Sequence, residues 1–495
     1  MNEENEKSLL ERCRERFFIR KDVSDVIAEI RSEESEGRAL KRNLGALDVT
    51  AIGIGSIIGA GIFVLTGVAT AYYAGPSVII SFILASLACA FAALCYAELA
   101  AMIPVSGSAY SYSYATMGEL VAWLIGWDLV LEYAVGAVAV AVGWSGYLTG
   151  LLASAGLSFP VEITEGPFTG GIINLPAVLI VLLLTAILVA GIKESARINL
   201  AMVLVKTGVI VFVILIGLTR FNADNLTPFF PFGITGTLSG AALVFFAYIG
   251  FDAASTVAEE TRNPQRDLPI GIIGSLVICT VLYIAVAIVL VGMVSYKKLG
   301  VSHPFDYAFA EAGFGWVAGI ISAGAIAGIT SVLLVTLLAQ PRILFALSRD
   351  GLLPGVFRKI HPTFKTPAGS TIVTGTVVAL AAGLTPIHTV AELTNIGTMF
   401  AFMLVCGAVL FLRKYDKDRI RPFRTPFVPV LPVLGIISCL VLMLSLPLLT
   451  WLRFIGWMGI GLLIYANYGY HRSVLAAKKK PECASNNQSR NTKTE

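Results

Sequence analysis

The sequence predicts an all-α, polytopic membrane protein with twelve transmembrane helices. Of its 495 residues, 56% are hydrophobic and only 14% are charged, whereas an ordinary soluble domain has about 25% charged residues. Long apolar runs reach the roughly 20 residues that a helix needs to cross a bilayer. The alternating segments of about ten residues that form membrane β-barrels are absent. Such runs satisfy their backbone hydrogen bonds within lipid only as helices.

Twelve apolar runs are bounded by charged residues, proline or clusters of glycine. Numbered as spans 1 to 12, they lie near residues 48–72, 78–103, 119–153, 172–192, 199–219, 234–258, 271–294, 316–348, 368–385, 394–413, 427–450 and 453–471. The polar flanks predict three parts. These are an N-terminal cytoplasmic segment (1–47), a transmembrane domain (48–471) and a basic, disordered tail (472–495).

Basic residues are distributed unevenly between alternate loops. If the N-terminus is cytoplasmic, the cytoplasmic loops carry about fourteen Lys and Arg and the opposite loops about four. Because these residues are enriched in cytoplasmic loops, we expect both termini in the cytoplasm and a multi-pass protein of the plasma membrane. The basic tails are interpreted as a topology signal beside an anionic leaflet. The expected partner is therefore the lipid bilayer, and no nucleic acid is implied.

Sequence patterns of metal, cofactor and enzyme sites are missing. The seven cysteines include no Cys-x-x-Cys pair and have no histidine cluster beside them, so neither a metal nor a cofactor is expected. The stretch "GIGSIIGAG" is not a dinucleotide fingerprint, because no strand precedes it. An intramembrane enzyme would need motifs such as His-Glu-x-x-His or Gly-x-Ser-x-Gly, which do not occur. Neither a charge ring nor a carbonyl filter indicates a channel.

Two predicted spans contain residues that weaken a helix. Span 1 carries glycine at positions 53, 55, 59 and 61, and span 6 carries Gly250 followed by Asp252. Each glycine costs about 1 kcal/mol relative to alanine within a helix. The two spans are five apart, which is the spacing of corresponding broken helices in inverted five-helix repeats. We therefore predict two five-span repeats followed by two further spans.

The breaks predict a site with two polarities. An unwound segment within the bilayer is tolerated only where its backbone lines a cavity or binds a ligand. In span 1, the N–H groups expected to face an anion belong to Gly59, Ala60 and Gly61. In span 6, the carbonyl groups expected to face a cation belong to Phe246, Ala247 and Ile249. An α-amino acid carries both charges. Close helix packing through small residues is the alternative explanation of the same glycines.

Four stretches of the sequence resemble one family in their order and spacing. They are "LKRNLGALDVTAIGIGSIIGAGIF", "YAELAAMIPVSGSAYSYSYATMGELVAWLIGWDLVLEYAV", "FFAYIGFDAASTVAEETRNPQRDLPIGI" and "ALSRDGLLP". Through them the chain resembles the amino acid-polyamine-organocation (APC) superfamily, and within it the cationic amino acid transporter family and its prokaryotic relatives. The resemblance runs from about Leu40 to Ala476. It implies the leucine-transporter fold, with alternating access to a central site between spans 1, 3, 6 and 8.

The resemblance also implies the substrate and its contacts. The expected substrates are L-amino acids, with cationic ones within a broad range, taken up by secondary active transport. Uniport, exchange and polyamine transport are the alternatives, and an accessory membrane subunit is left open. The substrate carboxylate would bind the amides of Ala60 and Gly61, beside Gly59. The ammonium would bind the carbonyl groups of Ile57, Phe246, Ala247 and Ile249.

Lys206 lies inside span 5, roughly 10 Å along the helix axis from the end of that span. An extended lysine at this depth can reach the membrane interface, which is the alternative to a role inside the bundle. In proton-coupled relatives a lysine on the fifth span supplies the charge that a sodium ion supplies elsewhere. Lys206 matches that lysine in its motif, and Thr330 or Ser331 of span 8 would be its partner. The resemblance therefore implies proton-coupled symport.

Acidic residues within the spans have alternative interpretations. Asp252 is expected to be a helix N-cap, which contributes about 1 kcal/mol, with gating or substrate contact as the alternative. Asp128 and Glu132 are four residues apart and share a helix face, so Glu132 is a candidate partner for a proton or a cationic side chain. The alternative keeps both hydrogen-bonded and partly wet. Glu98 is expected at the membrane interface.

Overall fold

The computed structural model describes residues 19, 42–104, 108–190, 196–361 and 366–476. Most of the predicted N-terminal segment and of the C-terminal tail lies outside these residues. Within them the chain is helical, and the only pairing of strand type is an isolated bridge between Leu44 and Thr261. The prediction of an all-α fold is confirmed.

Each predicted span coincides with helical structure. In chain order the helices are α1 (Ala46–Ile57), α2 (61–74), α3 (Val78–Met102), α4 (Ser108–Thr116), α5 (Glu119–Ser154), α6 (Leu175–Ala190), α7 (Ala196–Gly217), α8 (Gly233–Val244), α9 (Pro264–Met293), α10 (Pro304–Glu311), α11 (Gly315–Arg349), α12 (Ala368–Leu384), α13 (Ile387–Tyr415), α14 (Val430–Leu444) and α15 (Leu448–Ile464). Span 1 comprises α1 and α2. Span 6 comprises α8 and two 3₁₀ helices, Phe245–Tyr248 and Phe251–Glu260.

By length and composition, eight helical stretches of the described residues can cross a membrane. Four further apolar helices, α1, α6, α12 and α14, are shorter. The short length of α1, at 12 residues, follows from the break in span 1. A polytopic membrane protein is therefore supported, whereas the count of twelve spans and the inverted repeat stay predictions.

The chain leaves the helical conformation at both of the expected breaks. α1 ends at Ile57, Ile58 is extended with φ −75° and ψ 101°, and a wide π-helical turn begins at Gly61. In span 6, Ile249 is extended and Gly250 has φ 118°. That value is a left-handed conformation, which glycine adopts without steric cost.

Glycine is required where the two breaks touch. A Cβ atom on Gly61 would lie 2.3 Å from the Cα of Ala247, and one on Gly250 would lie 2.8 Å from the backbone carbonyl of Ser56. No side chain fits at such distances, so only glycine lets the two unwound backbones approach this closely. Close packing and unwinding therefore occur at the same place and do not exclude each other.

The first and second broken spans are also joined at their ends. The backbone N–H of Leu44 donates to the carbonyl of Glu260 at 3.0 Å, and the N–H of Arg262 donates to the carbonyl of Leu44 at 2.9 Å. These bonds connect the start of α1 to the end of the 3₁₀ helix Phe251–Glu260. The start of span 1 and the end of span 6 are therefore attached to each other directly.

The long helix α5 packs against α11, α12 and α13, and tryptophans attach the last helix to it. The indole N–H of Trp127 donates to the carbonyl of Trp457 at 2.9 Å, and the indole N–H of Trp457 donates back to the carbonyl of Trp127 at 3.1 Å. The two rings are stacked with centroids 4.5 Å apart. The indole of Trp123 donates to the carbonyl of Gly461. α15 is thus bonded directly to α5.

Glu98, near the end of α3, is buried inside the protein, with only 1% of its side chain exposed. Arg413 donates two hydrogen bonds to its carboxylate, at 3.1 and 2.9 Å. Arg421 forms a second ion pair at 3.3 Å, and the backbone N–H of Thr425 donates at 2.7 Å. The segment that follows α13 folds over Glu98 and removes it from solvent, which sequence periodicity does not reveal.

Candidate functional site

A central cavity lies where the two breaks meet α5, α11 and α13. It has a volume of about 70 Å³, counted as space open to the centres of water molecules. Six of the seven residues expected to contact a substrate line it: Ile57, Gly59, Ala60, Gly61, Phe246 and Ile249. The seventh, Ala247, packs against Gly61. The fold therefore brings the two breaks, far apart in sequence, to one small space.

Opposite ends of helical backbone face this cavity. Gly61 begins α2, and the first N–H groups of a helix have no partner within that helix, so this wall favours negative charge. At the other wall, the N–H of Ile249 donates to the carbonyl of Phe246 at 3.3 Å, after which the helical bonding stops. The hydroxyl of Tyr283 donates to the carbonyl of Ile57 at 3.0 Å, and this carbonyl keeps a second lone pair. The two walls of the cavity therefore offer backbone groups of opposite polarity.

Two buried carboxyl groups line the same cavity. Glu132 of α5 is 4% exposed and Asp252 is 3% exposed, and the lining described by the structure contains no lysine or arginine. Ser108 donates a long hydrogen bond of 3.4 Å to Asp252. The N-cap of the 3₁₀ helix is Gly250 rather than Asp252, because the left-handed turn at the glycine starts the helix earlier. The N-cap interpretation of Asp252 is therefore wrong, and the side chain contributes a carboxyl group to the cavity wall.

Asp128 lies one turn before Glu132 but differs from the expectation of a hydrogen-bonded, partly wet group. It is fully buried, and neither carboxyl oxygen has a hydrogen-bond partner among the described residues. A Cβ atom on Gly397 of α13 would lie 2.5 Å from Oδ1 of Asp128. α13 therefore covers this carboxyl group closely, and a side chain at position 397 would displace it.

Lys206 points into the bundle, so the interpretation that it reaches the membrane interface is wrong. Its side chain is fully buried, and its ammonium donates to the carbonyl of Gly55, to that of Ile58 at 3.2 Å and to the hydroxyl of Ser331 at 3.1 Å. The break after α1 leaves these carbonyls free to accept. Thr330 instead accepts a hydrogen bond from a tryptophan of α5. The geometry therefore favours Ser331 as the α11 neighbour of Lys206.

Two larger cavities lie on either side of the central one, and each is named by one lining residue. The Arg342 cavity has a volume of about 280 Å³, and the His388 cavity has about 590 Å³. The central cavity shares Ser56, Ala253 and Val335 with the Arg342 cavity. Its lining and that of the His388 cavity have no described residue in common. The central site therefore adjoins the Arg342 side.

Sequence reasoning missed much of the wall opposite the two breaks. This wall comes from α5, α11 and α13 and consists of Tyr133, Gly136, Val140, Val332, Val335, Thr336 and Thr394. Gly136 and Val140 follow Glu132 by four and eight residues, so helical periodicity from that acid could have identified them. The α11 residues carry no comparable signal, because their apolar side chains resemble any lipid-facing stretch.

Comparison with known proteins agrees with this architecture. Residues 44–454 match the amino acid permease family. The chain is 52% identical to a methylthioribose transporter of Bacillus subtilis (strain 168), over 90% of this chain and 97% of that protein. It is 49% identical to the branched-chain amino acid permease BcaP of the same organism, over 92% and 98%.

A third relative, the vacuolar cationic amino acid transporter 4 of Arabidopsis thaliana, is 41% identical over 77% of this chain and 64% of its own length. These relatives are permeases and transporters rather than enzymes, and the matched family supports amino acid transport. The bacterial relatives and the apolar helices place such a protein in a membrane. The chain belongs to the amino acid permease family of the amino acid-polyamine-organocation superfamily.

Proposed function

We propose that the protein imports L-amino acids across the plasma membrane by proton-coupled symport with alternating access. The observation that carries this proposal is the meeting of two broken helices at one small cavity. One break offers backbone N–H groups at Gly61, and the other offers carbonyl groups near Phe246 and Ile249. Such a site binds the carboxylate and the ammonium that every α-amino acid carries, whatever its side chain.

The two carboxyl groups in the wall favour cationic amino acids within a broad range. Glu132 and Asp252 are buried around a cavity whose described lining has no basic residue, so a cationic side chain would compensate their charge. The relatives differ in the substrates that their names state, which is consistent with a shared backbone site and variable side-chain contacts. Polyamines are less favoured, because they have no carboxylate for the amides of Ala60 and Gly61.

Lys206 would bind and release the coupling proton. In its charged form it joins α1 to α11 through the carbonyls of Gly55 and Ile58 and the hydroxyl of Ser331. A neutral amine donates fewer hydrogen bonds and no longer attracts these acceptors as a charge does. Loss of the proton would therefore loosen the inner half of the first span from α11. Facilitative uniport and exchange are the alternatives in which no proton is moved.

The orientation proposed from the basic residues places both termini and the Arg342 cavity on the cytoplasmic side. Because the central cavity adjoins the Arg342 cavity, the conformation described here would release substrate towards the cytoplasm. The lipid bilayer is the proposed surrounding, and an accessory membrane subunit stays open.

The test is uptake by the full chain in proteoliposomes. Labelled L-arginine, L-leucine, L-alanine, putrescine and methylthioribose would each be supplied with and without an inward proton gradient. One pH unit is worth 1.36 kcal/mol, so one coupled proton supports about tenfold accumulation per unit. We expect amino acids to accumulate only with the gradient. Uptake that stops at equal concentrations would contradict symport and indicate uniport, and preferred uptake of methylthioribose or putrescine would contradict the substrate class.

The substitution Lys206→Met tests whether Lys206 carries the coupling proton. Methionine keeps an unbranched side chain but cannot carry the proton, so the accumulation driven by one pH unit should fall from about tenfold to about one. Lys298→Met, at an exposed lysine, is the control and should behave as the unchanged protein does. Undiminished gradient-driven accumulation by Lys206→Met would remove Lys206 from the coupling mechanism.

A further inference from the structure

Gly136 of α5 lines the central cavity one helical turn beyond Glu132. A Cβ atom added there would have one neighbour within 4 Å, the Cγ2 of Thr394, at 3.8 Å. That distance is an ordinary van der Waals contact. A side chain at position 136 would therefore enter open space rather than another part of the protein.

The other glycines of α5 differ from Gly136 in this respect. A Cβ atom on any of these glycines would come within 3.0 Å of an atom of a packed neighbour. The glycines are Gly126, Gly143, Gly146 and Gly150. Helix packing explains these four, because α5 could not approach its neighbours with side chains there. Packing does not explain Gly136, and glycine weakens a helix relative to alanine. The space that a side chain at position 136 would occupy is part of the central cavity.

The position of this space within the cavity suggests its use. In the proposed site the two breaks bind the carboxylate and the ammonium of the substrate, so the wall formed by α5, α11 and α13 faces the substrate side chain. Gly136 lies in this wall one helical turn from Glu132, and a Cβ atom on it would face Thr394 of α13. A long substrate side chain that reaches Glu132 would therefore lie near position 136.

We infer that Gly136 is a specificity-determining residue that sets the largest substrate side chain the central cavity admits. This inference rests on the proposed function, since it takes the central cavity to be the amino acid site. The missing side chain leaves room for substrates as long as L-arginine beside Glu132. Adding even one methyl group at position 136 reduces that room, while a substrate as small as L-alanine does not extend into it.

The test is Gly136→Ala, measured as the ratio of kcat/KM for L-arginine to kcat/KM for L-alanine in proteoliposomes. One methylene group in an apolar pocket changes discrimination by about 10- to 200-fold, so we expect the ratio to fall at least about tenfold while L-alanine uptake is retained. Gly407→Ala is the matched control. Gly407 lies on α13, and a Cβ atom there would have no neighbour within 4 Å, so the ratio should not change.

A second substitution tests the direction of the effect. Thr394→Ser removes the Cγ2 atom that faces position 136 and keeps the hydroxyl that donates to the carbonyl of Val390. Combined with Gly136→Ala it should restore most of the lost L-arginine transport. Alone it should raise the ratio, which keeps the inference testable if Gly136→Ala fails to fold.

Three results overturn the inference. They are an unchanged ratio in folded Gly136→Ala, an equal fall for both substrates, and an unchanged ratio in Thr394→Ser. An unmodified protein that transports none of the L-amino acids would instead refute the proposed function, so the two failures are distinguishable.

Discussion

The central cavity is bounded differently towards its two neighbours. Towards the Arg342 cavity, the two spaces share lining residues. Towards the His388 cavity, α2 lies directly against α5. A Cβ atom on Gly143 would be 3.0 Å from Cγ2 of Val64 and 3.1 Å from Cβ of Ala60. Ala60 lines the central cavity and Val64 lines the His388 cavity, so this contact separates them.

The two boundaries of the central cavity differ in the kind of interaction that must break for the cavity to open in that direction. On the His388 side, α2 and α5 meet through apolar atoms at Gly143 and through a hydrogen bond that the hydroxyl of Tyr147 donates to the carbonyl of Phe63 at 2.7 Å, so opening requires these uncharged contacts to separate. On the Arg342 side, α1 is attached by the charged hydrogen bonds of Lys206 and by the backbone bonds between Leu44 and Glu260. A proton gained or lost at Lys206 would alter its charged hydrogen bonds, whereas the backbone bonds and the contact at Gly143 do not depend on that proton. The proposed proton coupling would therefore act on the Arg342 side.

The largest expected effect on transport comes from breaking the contact at Gly143. Gly143→Val places methyl groups where Val64 and Ala60 already lie, and overpacking of this kind costs about 1–3 kcal/mol. The closed arrangement should become less populated, and transport should fall roughly tenfold, since 1.4 kcal/mol is a factor of ten. A cysteine replacing Val68, which lines the His388 cavity, should react faster with a membrane-impermeant maleimide in this background.

Gly407→Val is the control for this substitution, because position 407 has open space around it. Normal transport by Gly143→Val, together with unchanged labelling at position 68 in that variant, would show that the separation of the two cavities does not depend on Gly143.

The next effect is on stability rather than on transport, and it is expected from ion pairs at the two ends. Glu98→Gln removes the partner of two arginines inside the protein, and breaking a buried pair typically costs about 3–5 kcal/mol. The ion pair between Lys298 and Glu311 at the other end spans 2.6 Å, but its side chains are 53% and 43% exposed. Such surface pairs contribute about 0–1 kcal/mol. Thermal unfolding of the purified protein should show a clearly lowered Tm for Glu98→Gln and little change for Glu311→Gln.

A similar loss of Tm in both glutamine variants would contradict this contrast between a buried and an exposed ion pair. So would a Tm for Glu98→Gln equal to that of the unmodified protein.

The smallest expected effect concerns pH and the short helix α10. Burial lowers the pKa of His303, against the opposing influence of Asp306, and burial raises the pKa of Asp306. A histidine with a lowered folded-state pKa stabilises the fold above its unfolded pKa of about 6.5 and loses that stability as the pH falls towards its folded pKa. The raised pKa of Asp306 has the opposite sign, with stability lost as the pH rises through that pKa. His303→Asn should therefore lose less Tm than the unmodified protein between pH 7.5 and pH 5.5, and an equal loss would contradict this role of His303.

Much of the architecture follows from local sequence. Apolar runs locate the helices because their backbone can satisfy its hydrogen bonds within lipid only as a helix. Clustered glycines locate the break in span 1, and Gly250 followed by Asp252 locates the break in span 6. Six of the expected contact residues meet at one cavity. The unwound backbone of two packed helices is tolerated within the bilayer where it lines such a cavity.

Properties that depend on neighbouring helices could not be predicted. Glu98 is buried because a loop more than 300 residues later in the chain folds over it. Asp128 lost its expected hydration because α13 has a glycine at the facing position. The wall residues of α11 and α13 have ordinary apolar or hydroxyl side chains, so only packing separates those that face the cavity from those that face lipid.

The paired tryptophans between α5 and α15 have a consequence for attempts to reduce this protein to a minimal core. A version truncated after α13 would keep all ten spans of the proposed double repeat. It would nevertheless leave Trp123 and Trp127 with indole N–H donors directed at hydrocarbon, which offers no acceptor. α15 therefore helps to hold α5 in place, and its removal would weaken the support of the cavity wall that α5 forms.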